Sequence, residues 1–237
     1  MTAGAKDTLL ASVVNNTGVV EARTVENKNG TITLLAGMKA GTTEAGGTLD
    51  ASAPNGGNGG FIETSGAKVH VADDFKVTTQ AASGQTGTWL VDPTDFTVAA
   101  SGGDITGAQV GTALGTSNVT YTNSLGASGT VGNINVNDAI SWSSPNALTL
   151  TADANVNINA AITATGLGAA FNATALAGAI NVNAGGNVNM AGAAGSAVTL
   201  QGATGLNFNG GGRIDLAPTS SLTINGNAYT VISALGA

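Results

Sequence analysis

The sequence predicts an all-β protein, a right-handed parallel β-helix with three short strands per coil. Three observations carry that expectation: the composition, a series of alternating apolar triplets separated by small residues, and the recurrence of those triplets about every two dozen residues. Of 237 residues, 42% are hydrophobic, enough to build a sizeable core. Only 9% are charged and 4% aromatic, while 36 residues are glycine. A typical soluble domain is about 25% charged. Small and β-branched residues with abundant glycine suit stacked short strands whose turns need a permissive backbone. The Glu, Lys, Arg and Leu that favour helices are scarce.

In the C-terminal half the triplets fall at 134–136, 140–142, 148–150, 156–158, 162–164, 180–182, 188–190, 198–200, 206–208, 214–216 and 222–224. Equivalent triplets lie 22 residues apart for 134 to 156 and 140 to 162, 24 for 156 to 180, and 26 for 180 to 206 and 188 to 214. The first and third side chains of a strand triplet share a face. Here they are nearly always aliphatic and are expected inside. The middle residues Asn135, Asn157, Asn181, Asn189, Asn207, Thr149, Thr199 and Thr223 are expected outside. Stacked at the ~4.8 Å strand spacing, they would form hydrogen-bonded ladders. Roughly nine or ten coils would give a rod of about 45 Å. One coil cannot bury its own core, so stability comes from stacking.

The N-terminal unit is longer. The text from Thr48 to Ile62 aligns with Lys76 to Leu90 at an offset of 28, setting Gly56 against Gly84, Gly59 against Gly87 and Phe61 against Trp89. An earlier copy sets Gly30 against Gly59. By this alignment Phe61 and Trp89 point inward, Trp89 fills a wide core layer, and Pro93 sets the turn after Asp92. The predicted organisation is one continuous solenoid: N-terminal coils over 1–100, an irregular decoration or capping segment over 101–132, and C-terminal coils over 133–237. A second irregularity, 166–178, reads as an inserted loop or short helix. Residues 1–7 lack the basic start and apolar run of a signal peptide. Strand-like text close to both ends is expected of a piece of something longer.

The candidates for chemistry are few. The net charge is −7, and the seven basic residues are scattered, so no basic stripe exists to hold nucleic acid. No segment is apolar enough for membrane insertion as a helix. Without cysteine there is no disulfide or thiolate site. Between Lys76 and Arg213 there is no Lys, Arg, His, Cys or Glu, and only Asp92, Asp95, Asp104, Asp138 and Asp153 carry charge. His70 is the only histidine. Flanked by inward Val69 and Val71, it should face solvent, and alone it supports neither a triad nor zinc. Asp50, Glu63, Asp73, Asp74, Asp92 and Asp95 are the candidates for paired carboxylates of a polysaccharide-cleaving enzyme. Turn positions explain Asp73, Asp74, Asp92 and Asp95 more simply, because Asp caps nearby backbone. Gly56-Gly-Asn-Gly-Gly-Phe61 lacks the Asp of a calcium-binding nonapeptide and reads as a tight turn. The sequence therefore predicts no catalytic, cofactor-binding or metal residues and no cofactor.

Gly59-Gly-Phe-Ile-Glu-Thr-Ser-Gly66, Gly87-Thr-Trp-Leu-Val-Asp-Pro-Thr-Asp-Phe-Thr-Val98 and Gly102-Gly-Asp-Ile-Thr106 together resemble the repeat region of filamentous-haemagglutinin-type exoproteins. The resemblance extends in style over 16–237 and is most specific over 59–106. It implies a long β-helix secreted to the surface of a Gram-negative bacterium through an outer-membrane transporter, by two-partner secretion. The implied roles are cell adhesion, biofilm formation or toxin presentation. The secretion domain of that pattern is not in this sequence. The leading expectation is a structural rod segment, not an enzyme, presenting adhesive or toxic regions elsewhere in the parent chain. The alternatives are a segment that itself binds host glycan or protein through its Asn/Thr faces or the 101–132 decoration, and a polysaccharide-cleaving enzyme. Other copies of the rod are a further expected partner.

Overall fold

The computed structural model describes residues 13–25, 28–123 and 131–231. Strand-like text at 9–12 and part of the irregular segment, 124–130, lie outside them. The chain is a parallel β-solenoid of about eight turns with three strands per coil and about 4% helix. The first coil holds β1 (Val13–Asn16), β2 (Val19–Glu21) and β3 (Thr31–Leu35). The second holds β4 (Thr42–Ala45), β5 (Thr48–Asp50) and β6 (Phe61–Ser65), and the third β7 (Lys68–Val71), β8 (Lys76–Thr78) and β9 (Thr88–Asp92). In the fourth coil a helix replaces the second strand: β10 (Phe96–Val98), α1 (Gly107–Leu114) and β11 (Asn118–Thr122). The fifth and sixth are β12 (Ile134–Val136), β13 (Ile140–Trp142), β14 (Ala147–Ala152), then β15 (Val156–Ile158), β16 (Ile162–Ala164), β17 (Ala170–Ala175). The seventh and eighth are β18 (Ala179–Val182), β19 (Val188–Met190), β20 (Ala197–Gly202), then β21 (Gly205–Phe208), β22 (Ile214–Leu216), β23 (Ser221–Ile224). Finally β24 (Asn227–Thr230) folds back antiparallel on β23. The connecting Asn225-Gly226 has positive φ at both residues, 47° and 79°, as a tight hairpin requires.

Among the described residues there are about eight coils where nine or ten are expected, and the N-terminal ones are long: β3 and β6 are 30 residues apart in register, β5 and β8 are 28. In the C-terminal half every expected triplet is a strand, and the spacings of 22, 24 and 26 are the observed registers. The third strands of all eight coils form one continuous sheet, β3-β6-β9-β11-β14-β17-β20-β23, extended by β24. The other two faces are interrupted, with β1-β4-β7 and β2-β5-β8 before the fourth coil, β10-β12-β15-β18-β21 beginning at it and β13-β16-β19-β22 after it. Inward residues form one core running through all the coils, from Val14 to Leu200, with Leu206, Ile214, Leu216 and Leu222 partly buried on its end.

Three local expectations are corrected. The register pairs Trp89 with Ile62, not Phe61, and Phe61 with Thr88. The turn before β9 is one residue shorter than the turn before β6, so the repeat slips from 28 to 27 inside it. A one-residue slip exchanges the two faces of a strand. Phe61 is accordingly exposed, Ile62 is buried, and Gly30 stands against Gly60. Second, 166–178 is neither loop nor helix but contains β17, with Phe171, Ala173 and Ala175 inside. Its alanines favour helix locally, and stacking between β14 and β20 overrides them.

The third concerns the irregular segment, most of which is built into the coil. Thr106 caps α1 reciprocally with Gln109, whose side-chain oxygen accepts the Thr106 N–H at 2.8 Å. Val110, Ala113 and Leu114 share its buried face. Glycine makes the close packing against β13 possible: a Cβ at Gly107 or Gly111 would lie 2.0 or 2.3 Å from the Ala139 or Ser141 carbonyl oxygen. Before α1 the chain loops round and runs forward again, so that Ile105 pairs in parallel with Val98. The Asp104 carbonyl accepts the Val71 N–H at 3.0 Å, which stitches the insertion to the coil below.

Candidate functional site

Outward side chains are where a solenoid can meet a partner, and one face is set apart. On β12, β15, β18 and β21 the middle residues Asn135, Asn157, Asn181 and Asn207 are in register. The Nδ2 of each later asparagine donates to the Oδ1 of the one before, at 2.8 Å in all three steps. A second row, absent from the sequence reading, lies one position beyond the triplets. Asn159, Asn183 and Asn209 donate in the same sense to Asn137, Asn159 and Asn183 at 2.7, 2.6 and 2.9 Å. Its signal was in plain view: an apolar-Asn-apolar-Asn tetrad occurs four times, at 134, 156, 180 and 206. Eight amides thus form a four-by-two array. Asn133 continues it partly, its Oδ1 accepting the Asn155 N–H at 3.0 Å.

The continuous sheet has a different outer surface. Thr120, Thr149, Asn172, Thr199 and Thr223 follow one another in register. Asn172 donates to Thr149 at 3.3 Å. On the third face Asn189, expected in a ladder, instead accepts the Ala191 N–H of its own chain at 3.1 Å.

The carboxylates are dispersed, and several are bound to backbone. Asp50 lies on β5, where it accepts from Arg23 at 2.7 Å and from the Ser52 N–H at 2.9 Å. Burial pushes its carboxyl up, but the Ser52 and Arg23 contacts outweigh it and hold the group below its ordinary value. Asp73 and Asp74 occupy the turn before β8, and Asp92 ends β9. Glu63 accepts from the Ser65 hydroxyl at 2.9 Å. Asp95 accepts the Gly132 and Asn133 N–H groups of the coil above at 2.7 and 3.2 Å. Asp138 accepts the first helical N–H of α1, from Gly107, at 2.8 Å. Asp50, Asp74 and Asp92, the acids that polysaccharide cleavage would gather, stand on three different segments of the coil. Among the described residues no group of three or more His, Asp or Glu is placed to hold a metal ion. His70 is exposed, as expected.

His70 borders a cavity of about 180 Å³ with Asp73, Asp104 and Gln109, under the loop that precedes α1. Asp104 accepts the Thr97 N–H at 2.7 Å. Burial pushes its carboxyl up to about 6, despite that bond and the nearby His70 and Lys68. The folded state therefore holds the proton more tightly than the unfolded chain, whose carboxyl titrates at its ordinary value of 3.8. The stability linked to this group is full below about pH 4 and is lost as pH rises through about 6, a change of about 3 kcal/mol. Asp104→Asn keeps an acceptor for Thr97 and removes the titration. Urea midpoints of the variant should exceed the parent's at pH 8 and match them at pH 4; parallel profiles would contradict the assignment.

Fold and surface together define a parallel β-solenoid with an amide-laddered flank. No family model matches the chain, and no curated protein and no solved structure matches it. No described helix is long and apolar enough to cross a membrane.

Proposed function

We propose that this chain is a rod segment of a large secreted surface adhesin of a Gram-negative bacterium, holding adhesive or toxic regions that lie elsewhere in the parent chain. The observation that carries the reading is the continuity of the solenoid: one core and one unbroken sheet pass through all eight coils. Such a stack transmits position along its axis. The motifs over 59–106 supply the filamentous-haemagglutinin resemblance and, with it, export through an outer-membrane transporter. The dispersed carboxylates support a non-enzymatic role.

Coil deletion in the parent chain tests it. Residues 134–155 are one register step, since Ile134 pairs with Val156. Removing them should leave surface display and adhesion intact while shortening the rod by about 4.8 Å. Normal display with adhesion abolished would overturn the reading, because the segment would then itself be the adhesive element.

A further inference from the structure

We propose that the asparagine face is a docking strip for an uncharged linear polysaccharide lying extended along the solenoid axis. The strip would hold the rod by its flank, a role additional to the spacing role proposed above and tested separately from it.

The chemistry begins with the amide group, which has two N–H donors and two acceptor lone pairs. An interior ladder asparagine uses one of each on its neighbours. One N–H and one lone pair remain for an outside partner. Every donor runs from the later coil to the earlier one, so all eight amides share one sense along the axis. The ladder also fixes the side chains in advance, which lowers the ordering cost that binding would otherwise incur.

The spacing and charge select the partner. Along the axis the amides repeat at about 4.8 Å, and across the strip the two rows are about 6.6 Å apart. The axial repeat is close to the advance per ring of an extended β-1,4-linked chain, so successive rings can offer hydroxyls to successive coils. Four coils then engage four rings. Between Lys76 and Arg213 the sequence has no cation, and Arg213 is paired with Asp215 at 2.8 Å. An anionic polymer would gain nothing here. Asp95 and Asp138, at the edges, are turned to backbone N–H groups. A continuous amide ladder is not a general requirement of stacking, because over the same coils the continuous sheet carries Thr149, Asn172, Thr199 and Thr223, with one side-chain bond, from Asn172 to Thr149.

No aromatic side chain belongs to the two rows, so ring stacking on sugar contributes nothing, and a single amide–hydroxyl contact between neutral groups is weak. Affinity must come from repetition and therefore depends on ligand length.

The test uses the purified 237-residue chain with cello- and chito-oligosaccharides of increasing length, insoluble cellulose and chitin, and heparin as the anionic comparison. Binding should rise steeply up to about four rings, be insensitive to salt, and fall about tenfold or more in Asn159→Ala/Asn183→Ala. Thr149→Ala/Thr199→Ala, on the other face, should bind as the parent does. Asn207→Ala/Asn209→Ala removes only the last ladder step and should lower the length at which binding levels off by about one ring. This variant keeps the test decisive if the interior one does not fold, which circular dichroism would reveal. No binding to any neutral polymer, equal binding by the folded asparagine variants, or binding to heparin alone that salt abolishes would each overturn the proposal.

Discussion

Trp89→Ala should destabilise the solenoid by about 3 to 5 kcal/mol, the range for truncating a large buried side chain. Trp89 is fully buried, and its indole N–H donates to the Thr64 hydroxyl of the coil below at 3.2 Å. Its ring lies 5.1 Å from Phe75 and 6.1 Å, edge-on, from Tyr121, which stacks on Phe96 at 4.3 Å. These four rings fill the third and fourth coils, where α1 replaces a strand. Alanine would leave a cavity there and leave the Thr64 hydroxyl without its indole donor. Trp89→Phe should recover most of the loss, because it refills most of the space and forfeits the hydrogen bond and the packing of one ring. Urea denaturation with unchanged slope reads the difference, and an unchanged midpoint for Trp89→Ala would contradict its place in the core.

The burial of Trp89 was legible in the sequence, but its partner was not. Alternation fixes which residues of a strand share a face, and in β12 to β23, β17 apart, every expected triplet is a strand, because apolar residues alternate with polar ones; only at the open end is an expected inward residue, Phe208, exposed. In β6 and β9 the alignment rested on glycines in the turns, where one residue can be gained or lost without disturbing the stack. Phe61 was read inward for that reason, although its neighbour Ile62 is the buried residue. The helix α1 was missed because Gly107 and Gly111, poor helix formers, are there for contact with β13 across the coil. That contact is non-local and leaves no periodic trace. The first asparagine row followed from the triplets. The second lay outside them, at a position that strand alternation nonetheless turns outward.

Glycine in the turns also predicts the second large effect: Gly87→Ala should cost about 3 kcal/mol, at the upper end for a forced overpacking. Gly30, Gly60 and Gly87 precede the third strand of successive coils. A Cβ on Gly60 would lie 2.1 Å from the Gly30 carbonyl oxygen, and one on Gly87 would lie 1.9 Å from that of Gly60. Those same carbonyls accept the N–H groups of Phe61 and Thr88 at 2.9 and 3.1 Å. Moving the coils apart to admit a methyl would therefore stretch the first bonds of the main sheet. Neither Gly60 nor Gly87 has positive φ, so the requirement is space and not backbone freedom. Gly102 is the converse, with φ +70° and nothing within 4 Å of a built Cβ. Gly102→Ala should cost only about 1 kcal/mol, the price of the left-handed conformation. Comparable losses at Gly87 and Gly102 would mean that strain, not coil contact, governs both. The column ends at the fourth coil, where Ser117 stands before β11 and its hydroxyl accepts the Thr79 N–H at 3.1 Å. The backbone bond of the column continues there, the Gly87 carbonyl accepting the Asn118 N–H at 3.1 Å, while the residue before the strand is the buried Ser117 in place of glycine.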